Sequence, residues 1–512
     1  MKYFLTLIQL WVGFLSICAS YPKANIWIIP SVESPQVYRN YAQTSKVHLE
    51  MARGEVEHIQ LVFPSKVNEE YRFTFDRYLK GIQISARELK KMNGYYDALV
   101  PFKNQLKCTD TLTAVWITVQ CPSRVPVGKY HQTIKIEGSK HFTIQLDYNV
   151  HHTTIPLKSS IPITVGVENR CMTECLNDKE ADKERQRWVD FVLSYRMTPV
   201  FGTQITPERW QYEHSFSPWA WNDKRSIRLL NDRRYSCYML PFFTLSENEL
   251  ASLLCNIQKK GKLKESLFYI WDEPAYMEDY EQIKRKVNII RKYASDARIL
   301  TTFFCGPRNG PRKGDLYAVF DYLKHHIHVA TISLAPCKGN EEEVQHIRYK
   351  VPEGIDWWSY VCWQPGGNEP NFLLQMKGIQ QRAIMWRTWK NGSQGFLYWN
   401  CNIYHKRNPF TYITDMPHGD GILIYPGDIL GCKGPIASAR LERWRDGAEE
   451  MELLRLVEKN YSKEKADTLL NIVYSSPLSF IEKAHNIPFF RKELLDQLDK
   501  TIPIDYLSLI HI

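Results

Sequence analysis

The chain has 512 residues, more than one ordinary domain holds, and its 44% hydrophobic and 24% charged residues indicate globular domains with a substantial core. The net charge is +10, but the basic residues are dispersed, and the sequence contains no arginine-rich arm, zinc-finger spacing or RNA-binding signature. These properties exclude a nucleic-acid partner. The 15 Trp and 29 Tyr are typical of sugar-binding clefts, although large barrels also bury many aromatic residues.

Residues 1–20 have the pattern of a signal peptide. Lys2 gives a positively charged start, residues 4–18 form a short apolar stretch, and Cys18-Ala19-Ser20 is a small-residue cleavage site. No later stretch of the sequence is long enough to cross a bilayer. We therefore expect a mature protein without an integral membrane segment that follows the secretory route. It would be secreted or held in an acidic lumenal compartment such as the lysosome.

Removal of Cys18 reduces the 12 cysteines to 11, an odd number. An oxidising compartment permits disulfides, and Cys171 with Cys175, or Cys108 with Cys121, are candidate pairs. The cysteines and histidines do not recur at zinc-ligand spacing, so we predict neither a metal nor another cofactor. Two sequons, at Asn391 and Asn460, are available for glycosylation in the same compartment.

Residues 21–155 have the pattern of an all-β domain. Short alternating or apolar segments are separated by turn residues such as Pro126-Val127-Gly128-Lys129, a rhythm that favours a β-sandwich. Residues 151–162 are polar and marked by prolines, and we interpret them as a linker with a solvated His151–His152 pair.

From residue 163 the pattern changes to strands that alternate with helices. The predicted strands are Ile163–Val167, Tyr238–Phe243, Leu267–Trp271, Arg298–Phe304, Val329–Leu334, Asp356–Cys362 and Gly395–Asn400. Repeated β-then-α units favour an α/β fold with a (β/α)8 TIM barrel over residues 156–459, which ends in a helix over 436–459. No glycine-rich phosphate loop follows any strand, which argues against a nucleotide enzyme. Residues 460–512 are predicted to form a helical tail.

The stretch from Ser266 to Pro274 is the centre of the predicted site. Five apolar or aromatic residues form a buried strand that stops at two adjacent acids, Asp272 and Glu273, and Pro274 then ends the ladder. The C-terminal ends of barrel strands form the catalytic face, so acids at this place favour chemistry. The alternative is that Asp272 caps a following helix with Pro274 in its first turn, and that Glu273 only favours the helix dipole.

Several predicted strands end in aromatic or polar side chains. Together they describe a cleft with two acids at its floor and flat rings as its walls, which suits glycoside hydrolysis. Each aromatic residue taken alone is also compatible with a place in the core. The predicted catalytic residues are Asp272 and Glu273, and the predicted substrate-binding residues are Trp271, Tyr238, Trp358, Tyr360, Tyr398, Trp399, Asn400 and Tyr425.

The adjacency of the two acids has a mechanistic consequence. Neighbouring strand residues point to opposite faces, so both acids reach one substrate only at an irregular strand end. They then approach the sugar from similar sides, which fits a substrate whose own 2-acetamido group is the nucleophile. Glu273 would be the general acid and later the base, while Asp272 would hold the acetamido nitrogen. The proximity of like charges should raise one pKa.

The sequence resembles glycoside hydrolase family 123, the β-N-acetylgalactosaminidase family. The resemblance covers nearly the whole mature chain. It rests on Ala52-Arg53-Gly54-Glu55, Pro126–Tyr130, Trp271-Asp272-Glu273-Pro274, Trp386–Trp389, Gly395–Trp399, Gly419-Asp420-Gly421, Tyr425-Pro426-Gly427 and Arg440–Gly447. It places the family's Asp-Glu pair on Asp272 and Glu273. It implies substrate-assisted cleavage of glycans, including those of glycolipids, that end in β-linked N-acetylgalactosamine.

The C-terminal part of this resemblance has a second interpretation. Asp420, Glu442 and Asp446 could be catalytic, but Gly-Asp-Gly is typical of a turn, and Glu442 and Asp446 lie four residues apart on a helix with arginines nearby. We therefore favour structural ion pairs for the two helical acids. Two other functions stay open: a barrel glycosidase of other specificity, for N-acetylglucosamine or a non-acetamido sugar, and a non-catalytic glycan-binding protein.

Overall fold

The structure is a computed structural model that describes residues 26–76, 81–206, 211–412 and 418–500. The predicted signal peptide, residues 1–20, and the last part of the predicted tail, residues 501–512, lie outside the described residues.

The described N-terminal residues form ten strands in two five-stranded sheets that pack face to face. The strands are β1 (Trp27–Pro30), β2 (Lys46–Arg53), β3 (Glu55–Pro64), β4 (Glu70–Phe75), β5 (Gln83–Met92), β6 (Tyr95–Pro101), β7 (Gln105–Lys107), β8 (Leu112–Cys121), β9 (Gly128–Glu137) and β10 (His141–Thr154). Their orders are β1-β3-β8-β5-β6 and β2-β10-β9-β4-β7. Alternate side chains, among them Leu61, Phe73 and Ile134, fill the space between the sheets. The predicted all-β N-terminal region is confirmed.

A third sheet, of nine strands, is rolled into a nearly closed barrel. Its strands are β11 (Ile163–Glu168), β12 (Thr198–Thr206), β13 (Gln211–Ser215), β14 (Tyr238–Met239), β15 (Ser266–Trp271), β16 (Arg298–Phe303), β17 (Val329–Ser333), β18 (Asp356–Val361) and β19 (Phe396–Tyr398). All run parallel to their neighbours except β13, which is antiparallel to β12. The ladder from β19 to β11 joins the last strand of the barrel to the first.

The barrel is less regular than the predicted (β/α)8 form. Between β12 and β14 the parallel ladder is interrupted, and β13 occupies the edge of β12. The backbone N–H of Phe216, just after β13, donates to the carbonyl of Met239 at 2.7 Å and so ties this insertion to β14. The fold is therefore a mixed α/β architecture with a nine-stranded, mostly parallel, barrel-like sheet.

Helices cover the outside of the barrel, and their apolar faces merge with the outward side chains of the strands in one large core. The helices are α1 (Asn169–Thr173), α2 (Asp178–Ser194), α3 (Lys224–Leu229), α4 (Glu247–Lys259), α5 (Met277–Arg291), α6 (Ala318–Leu323), α7 (Glu341–Lys350), α8 (Gly378–Lys390), α9 (Ala439–Asn460), α10 (Lys463–Leu470) and α11 (Ile487–Asp499). Two small hairpins, β20 (Tyr404–His405) with β21 (Asn408–Tyr412) and β22 (Ile424–Pro426) with β23 (Pro435–Ala437), lie between β19 and α9.

Helices α8 and α9 are buried along most of their length and pack closely against each other. A Cβ atom at Gly447 of α9 would lie 2.2 Å from the carbonyl oxygen of Arg382 of α8. Only glycine allows the two backbones to approach so closely, which accounts for its position in the middle of a long helix.

A network of buried ion pairs joins the sandwich to the barrel. Glu442 of α9 accepts hydrogen bonds from Arg87 of β5 at 2.6 Å and approaches His58 of β3 to 3.1 Å. Asp446, one turn later, pairs with Arg382 of α8 at 3.1 Å. These contacts agree with the structural interpretation of Glu442 and Asp446.

The structure contradicts the predicted disulfides, because the 11 cysteines among the described residues are all free. Cys108 precedes β8 and Cys121 ends it, so the ten-residue strand holds them roughly 30 Å apart. Cys171 is buried in α1, whereas Cys175 is exposed beyond that helix. Cys108 and Cys121 are therefore too far apart for a disulfide, and Cys171 and Cys175 are both free thiols.

Three further observations bear on the sequence analysis. His151 is not part of a solvated linker, because it is buried at the end of β10 between Glu50 and Asp499. Asn391 is fully buried, so its sequon is inaccessible in the folded chain, whereas Asn460 is exposed. Among the residues described, no helix has the length and apolarity of a membrane span, and no cluster of three potential metal ligands occurs.

Candidate active site

The acid pair emerges where strand β15 becomes irregular. Leu267 and Tyr269 face the barrel interior, while Phe268 and Ile270 join the outer core. The register with β16 then shifts between Tyr269 and Trp271, so that β15 advances two residues for one. This bulge breaks the alternation of the strand. It gives the two acids the irregular strand end that joint action on one substrate requires.

The backbone at Glu273 is also unusual. Its φ angle of 44° lies in the left-handed region, which a residue with a side chain rarely occupies. Helix α5 begins only at Met277, and the carboxylate that caps it belongs to Asp279, which accepts the N–H groups of Ala275 and Tyr276 at 2.8 Å each. The alternative in which Asp272 caps this helix is therefore wrong.

Asp272 is exposed at the barrel mouth and is held by two hydroxyl groups. The hydroxyls of Tyr269 and Thr302 both donate to its Oδ1, at 2.7 and 2.6 Å. Both donors sit on strands that face this edge of the barrel, β15 and β16. Two donors to one oxygen fix the orientation of the carboxyl group, while Oδ2 takes part in neither bond.

Glu273 is oriented through its side chain and its backbone. The Tyr360 hydroxyl of β18 donates to its Oε1, and its own N–H donates to Thr302 Oγ1 at 3.0 Å. Thr302 therefore contacts both acids. Although the residue is accessible at the mouth, desolvation of its carboxyl group and the neighbouring charge of Asp272 raise the pKa of Glu273 to about 7.

Strands β13 and β11 bring two further polar side chains, His214 and Glu168, to the same end of the barrel. The His214 ring stacks on Tyr269 with centroids 4.3 Å apart and an interplanar angle of 13°. Burial lowers the pKa of His214 to about 3, so the imidazole is neutral. Glu168 ends β11 and is only 4% exposed, and burial raises its pKa to about 7.

The end of β19 supplies one partly exposed ring, that of Trp399, whereas Tyr398 is fully buried and packs on Phe372 and Trp444. Asp420 is fully buried, and its Oδ1 accepts hydrogen bonds from the Tyr398 hydroxyl and from Trp399 Nε1, both at 3.0 Å. Trp399 remains partly exposed. Asn400 Oδ1 accepts the N–H of Asn402 at 3.0 Å and shapes the turn after the strand. Asp420 thus orients the rings of β19.

Two predicted ligands lie elsewhere. Tyr238 is buried near the start of β15, at the opposite end of the barrel strands, and its hydroxyl donates to the carbonyl of Leu230 at 3.1 Å. Tyr425 does not lean over the cleft. It is a buried residue of β22 whose hydroxyl donates to Asp97 of the sandwich.

Two predicted tryptophans are also structural. Trp358 is 1% exposed and packs with Leu267 and Leu300 in the apolar interior of the barrel, two residues before Tyr360 reaches the mouth. The bulge turns Trp271 outward, where its ring lies 5.4 Å from Nζ of Lys286 on α5. Tyr398 is a further structural residue, because its ring is buried in the outer core. Tyr360, Trp399 and Asn400 are therefore the predicted binding residues that the structure leaves at the C-terminal strand ends.

The structure also places residues at the site that the sequence analysis did not identify. Tyr269 and Thr302 hold Asp272, and Glu168 and His214 lie at the same end of the barrel. Glu168 could have been found, because it follows the predicted strand Ile163–Val167 as directly as Asp272 follows its own. Thr302 has no comparable signal in the sequence.

Comparisons of the sequence and the fold with known proteins show which family the chain is similar to. The model of the glycoside hydrolase 123 catalytic domain matches residues 183–457. The fold superposes on that of a family 123 glycoside hydrolase from Clostridium perfringens with a TM-score of 0.66 at 14% identity. The match covers 95% of this chain and 99% of that chain, and the description of that structure concerns glycolipid glycan hydrolysis.

Two further solved structures match more weakly. A family 2 β-galacturonidase from Eisenbergiella tayi has a TM-score of 0.34 at 9% identity, over 77% of this chain and 69% of its own. A β-D-glucuronidase from Dictyoglomus thermophilum has a TM-score of 0.32 at 8% identity, over 79% and 71%. No curated protein matches the sequence.

Proposed function

The chain belongs to glycoside hydrolase family 123 and is a glycosidase, and from this premise we propose that it removes terminal β-linked N-acetylgalactosamine from glycans or glycolipids. The substrate's 2-acetamido group would serve as the nucleophile, with retention at the anomeric carbon. The glycolipid part of the proposal is supported by the Clostridium perfringens structure, whose description names glycolipid glycans. We also propose that the protein acts in the secretory route or outside the cell, as residues 1–20 suggest.

The observation that carries the proposal is the geometry of the acid pair. Ordinary retaining and inverting glycosidases place two carboxyl groups on either side of the scissile bond. Here Asp272 and Glu273 are consecutive residues on one bulged strand end and share Thr302 as a hydrogen-bond partner. Two acids on the same side fit a reaction in which the attacking group belongs to the substrate, whose own acetamido oxygen attacks the anomeric carbon.

The residues then have separate roles. Protonated Glu273 donates its proton to the glycosidic oxygen as the bond to the anomeric carbon breaks. The acetamido oxygen forms a bond to that carbon and gives an oxazolinium ion, while the Asp272 carboxylate accepts the acetamido N–H and stabilises the positive charge. Water then attacks the anomeric carbon, Glu273 takes the proton, and the acetamido oxygen leaves. The raised pKa of Glu273 keeps the acid form populated near neutral pH.

Two substitutions test this function. We expect Glu273→Gln to lower kcat/KM on an aryl β-N-acetylgalactosaminide by about 100-fold or more, because the variant has no acidic proton. Asp272→Asn should lower it to a similar degree, because an amide cannot stabilise the oxazolinium charge. Glu281→Gln, on the exposed face of α5, is the matched control and should keep the wild-type rate.

Near-normal rates in both acid variants, with unchanged thermal melting, would remove the assignment. A panel of aryl glycosides decides between the sugars: preference for N-acetylglucosamine or for a sugar without an acetamido group would replace the proposed substrate. Binding of glycans without turnover by the wild-type chain would instead favour a non-catalytic role.

A further inference from the structure

Glu168 is a buried carboxyl group at the same end of the barrel as the acid pair, and the proposed reaction gives it no role. It ends β11 at the catalytic edge of the barrel and is 4% exposed. Within the described parts of the chain it forms no salt bridge, although buried carboxylates are usually paired. Although the charge of Arg170 acts on Glu168, a buried acid without a salt bridge at the mouth of an enzyme barrel is a candidate functional group.

The structural demand on Glu168 is limited to one of its two oxygens. Its Oε1 accepts the N–H of Arg170 at 3.2 Å at the start of the short helix α1. An amide oxygen would satisfy that N–H equally well, so this contact does not explain a carboxyl group. The desolvation that raises the pKa of Glu168 to about 7 is a cost that the contact with Arg170 only partly offsets.

The other oxygen, Oε2, accepts no hydrogen bond within the described residues. Gly202 of β12 faces it, and a Cβ atom at Gly202 would lie 3.9 Å from Glu168 Oε2 and 3.6 Å from the Tyr212 ring. Tyr212 belongs to β13, and the charges of both Glu168 and Asp272 help to raise its pKa to about 12, after burial itself. The charges of Glu168 and Asp272 therefore both act on the Tyr212 hydroxyl.

A row of rings leads from Tyr212 to the acid pair. Strand β13 places Tyr212 and His214 two residues apart on one face, and the neutral His214 ring stacks on Tyr269, which donates to Asp272. The rings offer flat surfaces for the C–H groups of a sugar. Glu168 closes this row of rings at the end away from Asp272.

We propose that Glu168 determines the sugar specificity of the site by accepting a hydrogen bond from the 4-hydroxyl group of the bound N-acetylhexosamine. This inference rests on the proposed function, which sets C1 and C2 of the sugar at Glu273 and Asp272. The 4-hydroxyl group lies across the ring from C1. It is also the group by which N-acetylgalactosamine and N-acetylglucosamine differ, since it is axial in the first and equatorial in the second.

The test is a thermodynamic cycle that combines the substitution Glu168→Gln with removal of the 4-hydroxyl group from the substrate. In Glu168→Gln the amide oxygen is retained by the Arg170 N–H, so an NH2 group replaces the acceptor for the sugar. We expect kcat/KM for the aryl β-N-acetylgalactosaminide to fall by about 10- to 100-fold, the range for a hydrogen bond to a charged group. For the 4-deoxy glycoside, which lacks the hydroxyl, the fall should be less than about 2-fold.

The ratio of activity on the galacto and gluco epimers gives a second readout. In the Gln variant this ratio should move toward one. Glu213→Gln is the matched control, because Glu213 is a buried acid on the same strand as Tyr212 but accepts the N–H groups of Phe242 and Thr244, at 2.8 and 2.7 Å, away from the acids. The control should lower the parent and the 4-deoxy rates by equal factors.

Equal losses on the parent and 4-deoxy glycosides in Glu168→Gln would overturn the inference and leave the proposed function standing. If the Gln variant melts early, Glu168→Asp enters the same cycle, since it keeps a carboxylate but withdraws it from the sugar. If the wild-type chain hydrolyses no N-acetylhexosaminide, the proposed function fails. In that case the cycle is measured as calorimetric binding of the parent and 4-deoxy methyl glycosides. A loss of affinity in Glu168→Gln that is confined to the parent glycoside supports the hydroxyl site, and equal losses on both glycosides overturn it.

Discussion

The protonation of Glu273 depends on opposing neighbours. Desolvation and the charge of Asp272 raise its pKa, whereas the hydrogen bond from Tyr360 and the charge of Arg308 lower it, with a result of about 7. A general acid must be protonated before it donates. Activity should therefore decline as the pH rises through about 7, because the acid form is lost.

Tyr360→Phe tests this balance. Loss of the hydroxyl removes a hydrogen bond that favours the charged carboxylate, so the pKa of Glu273 should rise. We expect the alkaline limb of the kcat/KM profile to move to higher pH than in the wild type. The measurement is kcat/KM on the aryl glycoside across the neutral and alkaline range.

The exposed Tyr349, on α7, supplies the control substitution Tyr349→Phe, which should leave the profile where it is. A shift of the Tyr360→Phe limb to lower pH would show that Tyr360 does not stabilise the ionised form of Glu273.

At the scale of single residues, the sequence located the acids better than the rings. An acid that ends an apolar strand is visible in one dimension, and Asp272 and Glu273 were found in this way. Whether an aromatic residue reaches the mouth depends on its layer in the barrel. Trp358 and Tyr360 both point inward, but two residues along β18 separate an apolar layer from the acids.

The elements around the site show the same limit. The sequence does not predict β12, because Thr198-Pro199-Val200-Phe201-Gly202 combines a proline and a glycine with polar neighbours. It also does not predict β13, the antiparallel strand that interrupts the parallel ladder of the barrel and places the His214 ring against Tyr269. The strand end at Asp272 was predicted to be irregular, but the bulge that makes it so is a property of the pairing with β16.

Helix α11 carries no catalytic motif and is held in place by its contacts with the sandwich. The predicted tail contained no functional signal, yet α11 packs on β2 and β10 of the sandwich. His151 at the end of β10 lies 2.7 Å from Glu50 of β2 and 2.8 Å from Asp499 of α11. Burial alone would lower the pKa of His151, but its bonds to Asp499 and Glu50 outweigh burial and raise it to about 9.

This arrangement predicts a pH window for stability. The pKa of His151 is raised above its ordinary 6.5, so its contribution is complete below 6.5 and is lost as the pH rises through about 9. The pKa of Glu50 is lowered to about 2 by its bonds to His151, His48 and Asn149, which outweigh burial. Its contribution is present above its ordinary 4.5 and is lost as the pH falls toward 2.

Thermal melting of the wild type and of His151→Gln between pH 5 and 10 measures this effect. We expect the variant to melt earlier near pH 6 and the gap to narrow above about pH 9. His131→Gln, which removes an exposed pair with Asp147, is the control and should change melting little. A constant gap across the whole range would contradict the assignment of a protonated His151.

At the scale of the whole molecule, much of the family resemblance lies at the contact between the two domains. Glu55 of the Ala52–Glu55 stretch pairs with Arg491 of α11, and Arg440 of the Arg440–Gly447 stretch pairs with Asp97 of β6 at 2.9 Å. The sequence indicated a two-part protein but not this interface, because buried ion pairs between distant segments have no local pattern.

Arg440 contacts both the sandwich and the barrel domain. Its guanidinium contacts Asp97 through Nε and Nη2 and donates to the carbonyls of Phe372 and Gly419 at 2.7 and 2.6 Å. Arg440→Ala leaves Asp97 buried without a counter-ion, which should lower the free energy of unfolding by about 3–5 kcal/mol.

Denaturant unfolding of the two variants Arg440→Ala and Lys377→Ala makes the comparison. Lys377 forms a solvent-exposed pair with Glu482 at 3.2 Å, so its removal should cost about 0–1 kcal/mol. A loss below about 1 kcal/mol for Arg440→Ala would show that this interface does not depend on its ion pairs.

The domains and the bulged strand serve one arrangement, in which a substrate's own acetamido oxygen attacks while two neighbouring acids assist. The most direct measurement is kcat/KM for a series of aryl β-N-acetylgalactosaminides whose acetyl group carries none, one, two or three fluorine atoms. Fluorine weakens the acetamido oxygen as a nucleophile, so the account predicts a steep and continuous fall in rate along the series. Rates that stay level across the series would contradict participation of the acetamido group and, with it, the mechanism assigned to Asp272 and Glu273.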